Sequence, residues 1–212
     1  MEFELLASLS EADRRTVLAT APRRRYARGE AIVREGDPGD TFHLIAKGRV
    51  AVRVTTPSGS VATINVHGRG GAFGEQALID PTSRRTATVT ALEPVETLSL
   101  SRSAFADLRR DHPGIDRLLI DVLAAEVRRL SQRLAEALYD NADKRVIRRL
   151  LDLDDIYNGV IPLTQDDLAT MAGTTRPTAN RVLQGLVGAG LVALSRGRFQ
   201  VLDRAELVHR AR

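Results

Sequence analysis

The spacing of apolar positions along the chain changes several times, and each change marks an expected element. Residues 4–19 carry Leu5, Leu6, Leu9, Val17 and Leu18 at helical spacing, with Ser10-x-x-Asp13 as a capping start. From about residue 24 to 100 that period vanishes. Short apolar runs at 31–33, 41–45, 50–54, 61–66 and 95–100 are divided by Gly36-Asp37-Pro38-Gly39, Lys47-Gly48 and Pro57-Ser58-Gly59. Regular short strands with such turns predict an antiparallel barrel or roll. Ser103 is expected to cap a short helix through Arg110, and Pro113 marks a break. Beyond it, Ile120, Leu123, Val127, Leu130, Leu134, Ala137 and Asn141 alternate spacings of three and four. That is a coiled-coil seam, which asks for a partner helix or for the surface of its own β-domain.

Residues 139–143 are polar enough for a hinge, with Asp143 as the cap of a helix over 144–154 whose Val146, Ile147, Leu150 and Leu151 share a face. Thr164-Gln165-Asp166-Asp167 opens another helix with a cap and acidic first turn. Ala169, Gly173, Ala179 and Val182 then follow the helix-turn-helix pattern of small residue, turn glycine and aliphatic second helix. On that second helix Arg176, Asn180 and Arg181 share an exposed flank while Val182, Leu183 and Leu186 face inward. This is a surface suited to a DNA groove. Residues 191–201 alternate around Gly197, flanked by Arg196 and Arg198, and predict a small hairpin that presents both arginines to phosphate. Residues 202–212 are expected to dangle or form a last turn.

The candidate chemistry centres on Gly70-Gly71-Ala72-Phe73-Gly74-Glu75-Gln76-Ala77-Leu78-Ile79 and the following Ser83-Arg84-Arg85-Thr86-Ala87-Thr88-Val89. The glycines permit left-handed turns and close backbone approach, and residues 75–79 supply one helical turn with free N–H groups. Arg85 opens an alternating run, so a strand is expected to carry its guanidinium toward phosphate oxygens. Glu75 would repel a phosphate unless it faces a hydroxyl donor such as a ribose 2′-OH. Together these suggest a cyclic nucleotide.

Phe73-Gly74-Glu75 with Arg85-Thr86-Ala87 resembles the phosphate-binding cassette of cyclic-nucleotide-binding domains. The order of cassette, long helix and winged helix-turn-helix resembles the Crp/Fnr superfamily of transcription regulators. The resemblance implies an α+β chain, with an N-terminal antiparallel β-roll (1–115), a dimerisation helix and hinge (116–142) and a C-terminal winged helix-turn-helix (143–212). It implies an effector site at Phe73, Gly74, Glu75, Gln76, Ala77, Arg85 and Thr86, with Glu75 on the ribose and Arg85 on the phosphate. Arg128-Arg129-Leu130 also resembles a run in the family. Matched on it, the Thr-Ser pair that touches adenine in regulators of the cyclic-AMP receptor type falls on Arg133 and Leu134. Arg133 suits a purine N7 or O6 acceptor, which keeps cyclic GMP open beside cyclic AMP. On DNA the implied contacts are Thr164, Thr175, Arg176, Thr178, Asn180, Arg181, Arg196 and Arg198, and Pro177 stands where the family has a base-contacting glutamate. The partners implied are a double-stranded operator, a second copy of the chain and RNA polymerase. An effector-independent regulator with a vestigial pocket, and a nucleotide-binding regulatory subunit of another protein, are the alternatives.

Composition narrows the classes. The 212 residues include no cysteine, which removes disulfides, thiolate zinc sites and cysteine-held iron–sulfur clusters. Histidines 43, 67, 112 and 209 show no ligand pairing, so no metal is expected. A net charge of +4 favours an anionic partner. Gly68-Arg69-Gly70-Gly71 lacks the Lys-Ser/Thr of a P-loop, and no Ser-His-Asp set has a recognisable spacing, so an enzyme is not expected. Without a signal peptide or a long apolar run, the expected place is the cytoplasm, with no membrane partner.

Overall fold

The structure, a computed structural model, describes residues 3, 6–7, 9–56, 58–112 and 114–211. Glu4, Leu5, Pro57 and Pro113, which entered the expectations above, lie outside the described residues. Two compact units are present, residues 1–54 with 67–129 and residues 55–66 with 130–212. The fold is α+β.

In chain order the first unit holds α1 (Glu11–Thr20), β1 (Arg23–Tyr26), β2 (Ala31–Val33), β3 (Thr41–Lys47) and most of β4 (Val50–Thr55). After β5 (Val61–His67), which lies almost wholly in the other unit, it continues with β6 (Ala72–Phe73), α2 (Gln76–Ile79), β7 (Thr88–Ala91), β8 (Val95–Ser101) and α3 (Arg102–Asp111). One antiparallel sheet runs β1-β8-β3-β6. A second places β7 between β2 and β4. Alternation along the strands sends Ile45, Val50, Phe73, Val89, Ala91 and Val95 into one cluster. Phe42, Leu44, Leu98 and Leu100 pack instead against Phe105, Leu108, Ile115 and Leu118 of the helices.

Three helix starts differ from the sequence expectation, two of them in the first unit. α1 begins at Glu11, so Leu6 and Leu9 lie ahead of it, and its cap Ser10 accepts from Asp13 N at 3.1 Å. α3 is capped by Ser101 rather than Ser103, because Ser101 is the residue with extended backbone (φ −74°, ψ 156°) and its oxygen accepts from Ala104 N.

α4 (Ile115–Tyr139) contributes its first part to one unit and its remainder to the other. The second unit continues with α5 (Ala142–Tyr157), β9 (Val160–Ile161), α6 (Gln165–Met171), α7 (Arg176–Gly188), β10 (Val192–Ser195), β11 (Arg198–Val201) and α8 (Arg204–Arg210). Val146, Leu150, Leu153, Leu168, Ala179, Leu183, Phe199 and Leu207 are buried there. The cap of α5 is Asn141 and not Asp143. Asn141 has the extended backbone a cap requires and accepts from Lys144 N at 2.9 Å, whereas Asp143 lies inside the first turn. Of the two expectations for the last residues the structure takes the helical one: Asp203 caps α8 and Leu207 is fully buried.

On α4, Ile120, Val127, Leu130, Leu134 and Leu138 are exposed by 52–64%. Leu123 is half-buried, and Asn141, the last position of the expected seam, lies beyond the helix. Among the described residues no helix is long and apolar enough to cross a membrane.

Candidate anion pocket and nucleic-acid interface

The candidate anion pocket is built by two stretches that β3 brings together. β6 ends at Phe73 against His43 of β3, Gly74 turns the chain at φ +83°, and Glu75 leads into the single turn of α2. A Cβ on Gly74 would lie 2.5 Å from Arg85 Nη1 and 2.7 Å from the Thr41 carbonyl oxygen. Glycine is therefore required twice over at this position, by conformation and by the approach of the arginine.

Arg85 is not carried on a strand as expected. It lies three residues ahead of β7, where its backbone N donates to Asp37 O and its carbonyl accepts from Gly36 N, both at 2.8 Å. This pairing of the 83–85 stretch with the 36–39 turn anchors its main chain, and the side chain runs inward to 7% exposure. There Nη1 donates to Thr41 O at 2.8 Å and Nη2 to Thr41 Oγ1 at 2.7 Å, with Asp40 Oδ1 at 3.7 Å. Burial lowers the guanidinium pKa, and Asp40 and Glu75 oppose that shift. The buried fork thus has two donors fixed on Thr41, with the Asp40 carboxylate 3.7 Å away. Thr86, by contrast, is exposed, as is Gln76, while Ala77 and Phe73 are buried and Gly74 and Glu75 half-buried.

Three residues that were not among the expected effector contacts lie around these stretches. His43 is 3% exposed and stacks on Phe73 with ring centroids 4.9 Å apart. Its Nδ1 lies 3.1 Å from Thr97 Oγ1, and its Nε2 the same distance from Thr41 Oγ1. Arg102 holds α2 from beneath, donating to Ala77 O at 2.6 Å, Asp80 O at 3.1 Å and also Gly39 O. Arg129 pairs with Glu126, and that hydrogen bond, with a contribution from Glu75, raises its pKa. Arg133 belongs to the second unit, where its guanidinium donates to Ile64 O and Asn65 Oδ1, each at 2.9 Å. Among the described residues no group of three or more His, Asp or Glu side chains is placed to hold a metal ion.

The candidate nucleic-acid surface lies in the second unit on α6, α7 and the β10–β11 hairpin. Thr164 and Asp167 form a full capping box at the start of α6. Thr175 caps α7 and accepts from Thr178 N, and Pro177 falls in the first turn, where its missing N–H has no intrahelical partner to lose. Arg176, Arg181, Arg196 and Arg198 are exposed, and Thr178 and Asn180 are partly so. Gly197 makes the hairpin turn at φ +66°. A cleft of about 590 Å³ runs between these elements, with Thr164, Asp166, Arg176, Arg196 and Val187 on its walls. The two arginines of α7 already face acids: Arg181 donates to Asp143 at 2.5 Å, and Arg176 lies 3.8 Å from Asp166.

Comparison with known proteins follows the same division. Residues 23–112 match the cyclic nucleotide-binding domain family, and residues 144–210 match the Crp-like helix-turn-helix domain. The chain is 30% identical over 195 residues to the CRP-like cAMP-activated global transcriptional regulator of Mycobacterium tuberculosis, covering 88% of this chain and 87% of that one. Identity with the cyclic AMP receptor protein of Thermus thermophilus is 35% over 188 residues, or 87% and 86% of the two chains. Among solved structures, the Thermus thermophilus catabolite activator protein is 32% identical with a TM-score of 0.58, covering 98% of this chain and 97% of that one.

Proposed function

Because the chain belongs to the Crp/Fnr family of cyclic-nucleotide-binding transcription regulators, we propose that it acts as a homodimer on DNA under the control of a cyclic purine nucleotide, with cyclic AMP the first candidate. The observation that carries the effector reading is the Arg85 guanidinium, buried beside Gly74 and Glu75 with two of its five N–H groups given to Thr41. A cyclic phosphate in front of it would receive charge-assisted bonds, and Glu75 would accept from the ribose hydroxyl. The names of the two regulators matched over most of the chain support cyclic AMP as the first candidate, and Arg133 as a base contact would first have to release Ile64 O and Asn65.

Calorimetry with cyclic AMP and cyclic GMP in parallel tests this directly. Each charge-assisted bond is worth about 1.5–3 kcal/mol, so Arg85→Ala should weaken binding about tenfold to a hundredfold or more. Wild-type protein that takes up neither nucleotide at millimolar concentration would leave the effector-independent regulator as the better account.

The dimer reading rests on the exposed apolar stripe Ile120, Val127, Leu130, Leu134 and Leu138, repeated at the spacing of a two-helix seam. Charged residues at Leu130 and Leu134 should give monomers by sedimentation, with loss of binding to a two-half-site operator. Arg181→Ala should keep the dimer. In this reading Arg181 exchanges Asp143 for a guanine, so its loss lowers specific affinity by about 1–3 kcal/mol and relaxes one base position. Arg196→Ala and Arg198→Ala should weaken all sequences alike and flatten the salt dependence. Selection of bound DNA from a random pool separates the two classes, and an unchanged motif for Arg181→Ala would reassign the reading residue.

A further inference from the structure

One imidazole touches both halves of the anion pocket. Through its ring face His43 holds Phe73, the residue that leads into Gly74-Glu75, and through its ring edge it meets Thr41, which carries Arg85. We propose that His43 and Thr41 are positioning residues for the effector, a buried polar relay running Thr97–His43–Thr41 to the Arg85 guanidinium and fixing its plane before the nucleotide arrives. The proposal rests on the effector reading above and deepens it.

Donor and acceptor arithmetic supports the relay. A guanidinium only donates, so Thr41 Oγ1 accepts from Arg85 Nη2. The single hydrogen of that hydroxyl has two acceptors in reach, His43 Nε2 at 3.1 Å and Asp40 Oδ1 at 3.2 Å. Neutral imidazole satisfies both cases, since one tautomer accepts at Nε2 and donates from Nδ1 to Thr97, and the other does the reverse. A protonated ring has no acceptor and would add a cation beside Arg85. Burial pushes the His43 pKa down to about 4 with Arg85 adding to the shift, so the ring is neutral at ordinary pH. A long side chain that is already fixed loses less rotamer freedom on binding, which is the gain the relay supplies.

The test exploits two substitutions that a packing role and a relay role rank in opposite order. His43→Phe keeps a flat ring on Phe73 but has no polar edge. His43→Gln loses the ring but places an amide, able to donate and accept, where Nε2 was. Calorimetry with cyclic AMP should give about a three- to tenfold weaker Kd for His43→Phe, the usual size of one hydrogen bond. His43→Gln should stay within about twofold of wild type. Thr41→Val, which keeps the shape and removes the hydroxyl, should reproduce the His43→Phe loss even if His43→Phe folds poorly. Adding His43→Phe to Thr41→Val should cause no further loss. Wild-type affinity in His43→Phe, a larger loss in His43→Gln than in His43→Phe, or additive losses would overturn the relay while leaving the effector reading intact. A wild-type protein that binds no cyclic nucleotide overturns both.

Discussion

Removing one partner of the buried Glu136–Arg149 pair is expected to destabilise the second unit by about 3–5 kcal/mol, whereas replacing both with apolar groups should leave stability near or above wild type. Glu136, on the last turn of α4, and Arg149, on α5, are 4% and 5% exposed, and Arg149 Nη2 lies 2.5 Å from Glu136 Oε2. Gln132 and Arg148 also face the Glu136 carboxylate, at 3.3 and 3.4 Å, and Arg148 pairs in addition with Asp140. Arg149→Met therefore strands a carboxylate with weaker partners, and Glu136→Leu strands a guanidinium whose other acid, Asp152, is half-exposed. Only Asp140 and Asn141 separate the two helices, and these ion pairs tie α5 to the end of α4. Urea unfolding of the two single variants and the double variant measures the effect. Singles that lose less than about 1 kcal/mol would mean that water reaches the pair.

The second large effect is in the pH dependence of stability. The folded His43 imidazole is pushed down to about 4, first by burial, then by Arg85, with Asp40 opposing and Arg24 adding a little. In the unfolded chain it titrates near 6.5. Between these values the unfolded state binds the proton and the folded state does not, so stability rises with pH. The contribution is fully present above about pH 6.5 and is lost as pH falls toward about 4, a total of about 3 kcal/mol. Carboxylates titrate in part of the same range and would obscure it in wild type alone. Subtracting the stability of His43→Phe at each pH cancels them, and the difference should shrink by about 3 kcal/mol from pH 7 to pH 4. A difference that stays flat would mean that the folded ring takes up its proton as easily as the unfolded one.

The sequence by itself determined what depends on local period and backbone preference. Short apolar runs bounded by turns placed β3, β4 and β8, and alternation placed β7, whose burial repeats every second position because one face is buried. Glycine marked the turns at 48, 74 and 197, where φ is +83°, +83° and +66°, since other residues resist that conformation. The helical period of α4 and its apolar stripe through Leu130 and Leu134 were legible for the same reason, although Asn141 falls beyond the helix. Tertiary structure decided the polar partners. Arg85 meets Thr41 across 44 positions and Arg181 meets Asp143 across 38, and no local pattern records such a pairing. It also chose Ser101 over Ser103 and Asn141 over Asp143 as caps, because a cap is set by which residue has the extended backbone, not by which can accept a hydrogen bond. His43 looked like an isolated histidine in the sequence. Only the β3–β6 and β3–β8 registers, which set it against Phe73 and beside Thr97, make it part of the pocket.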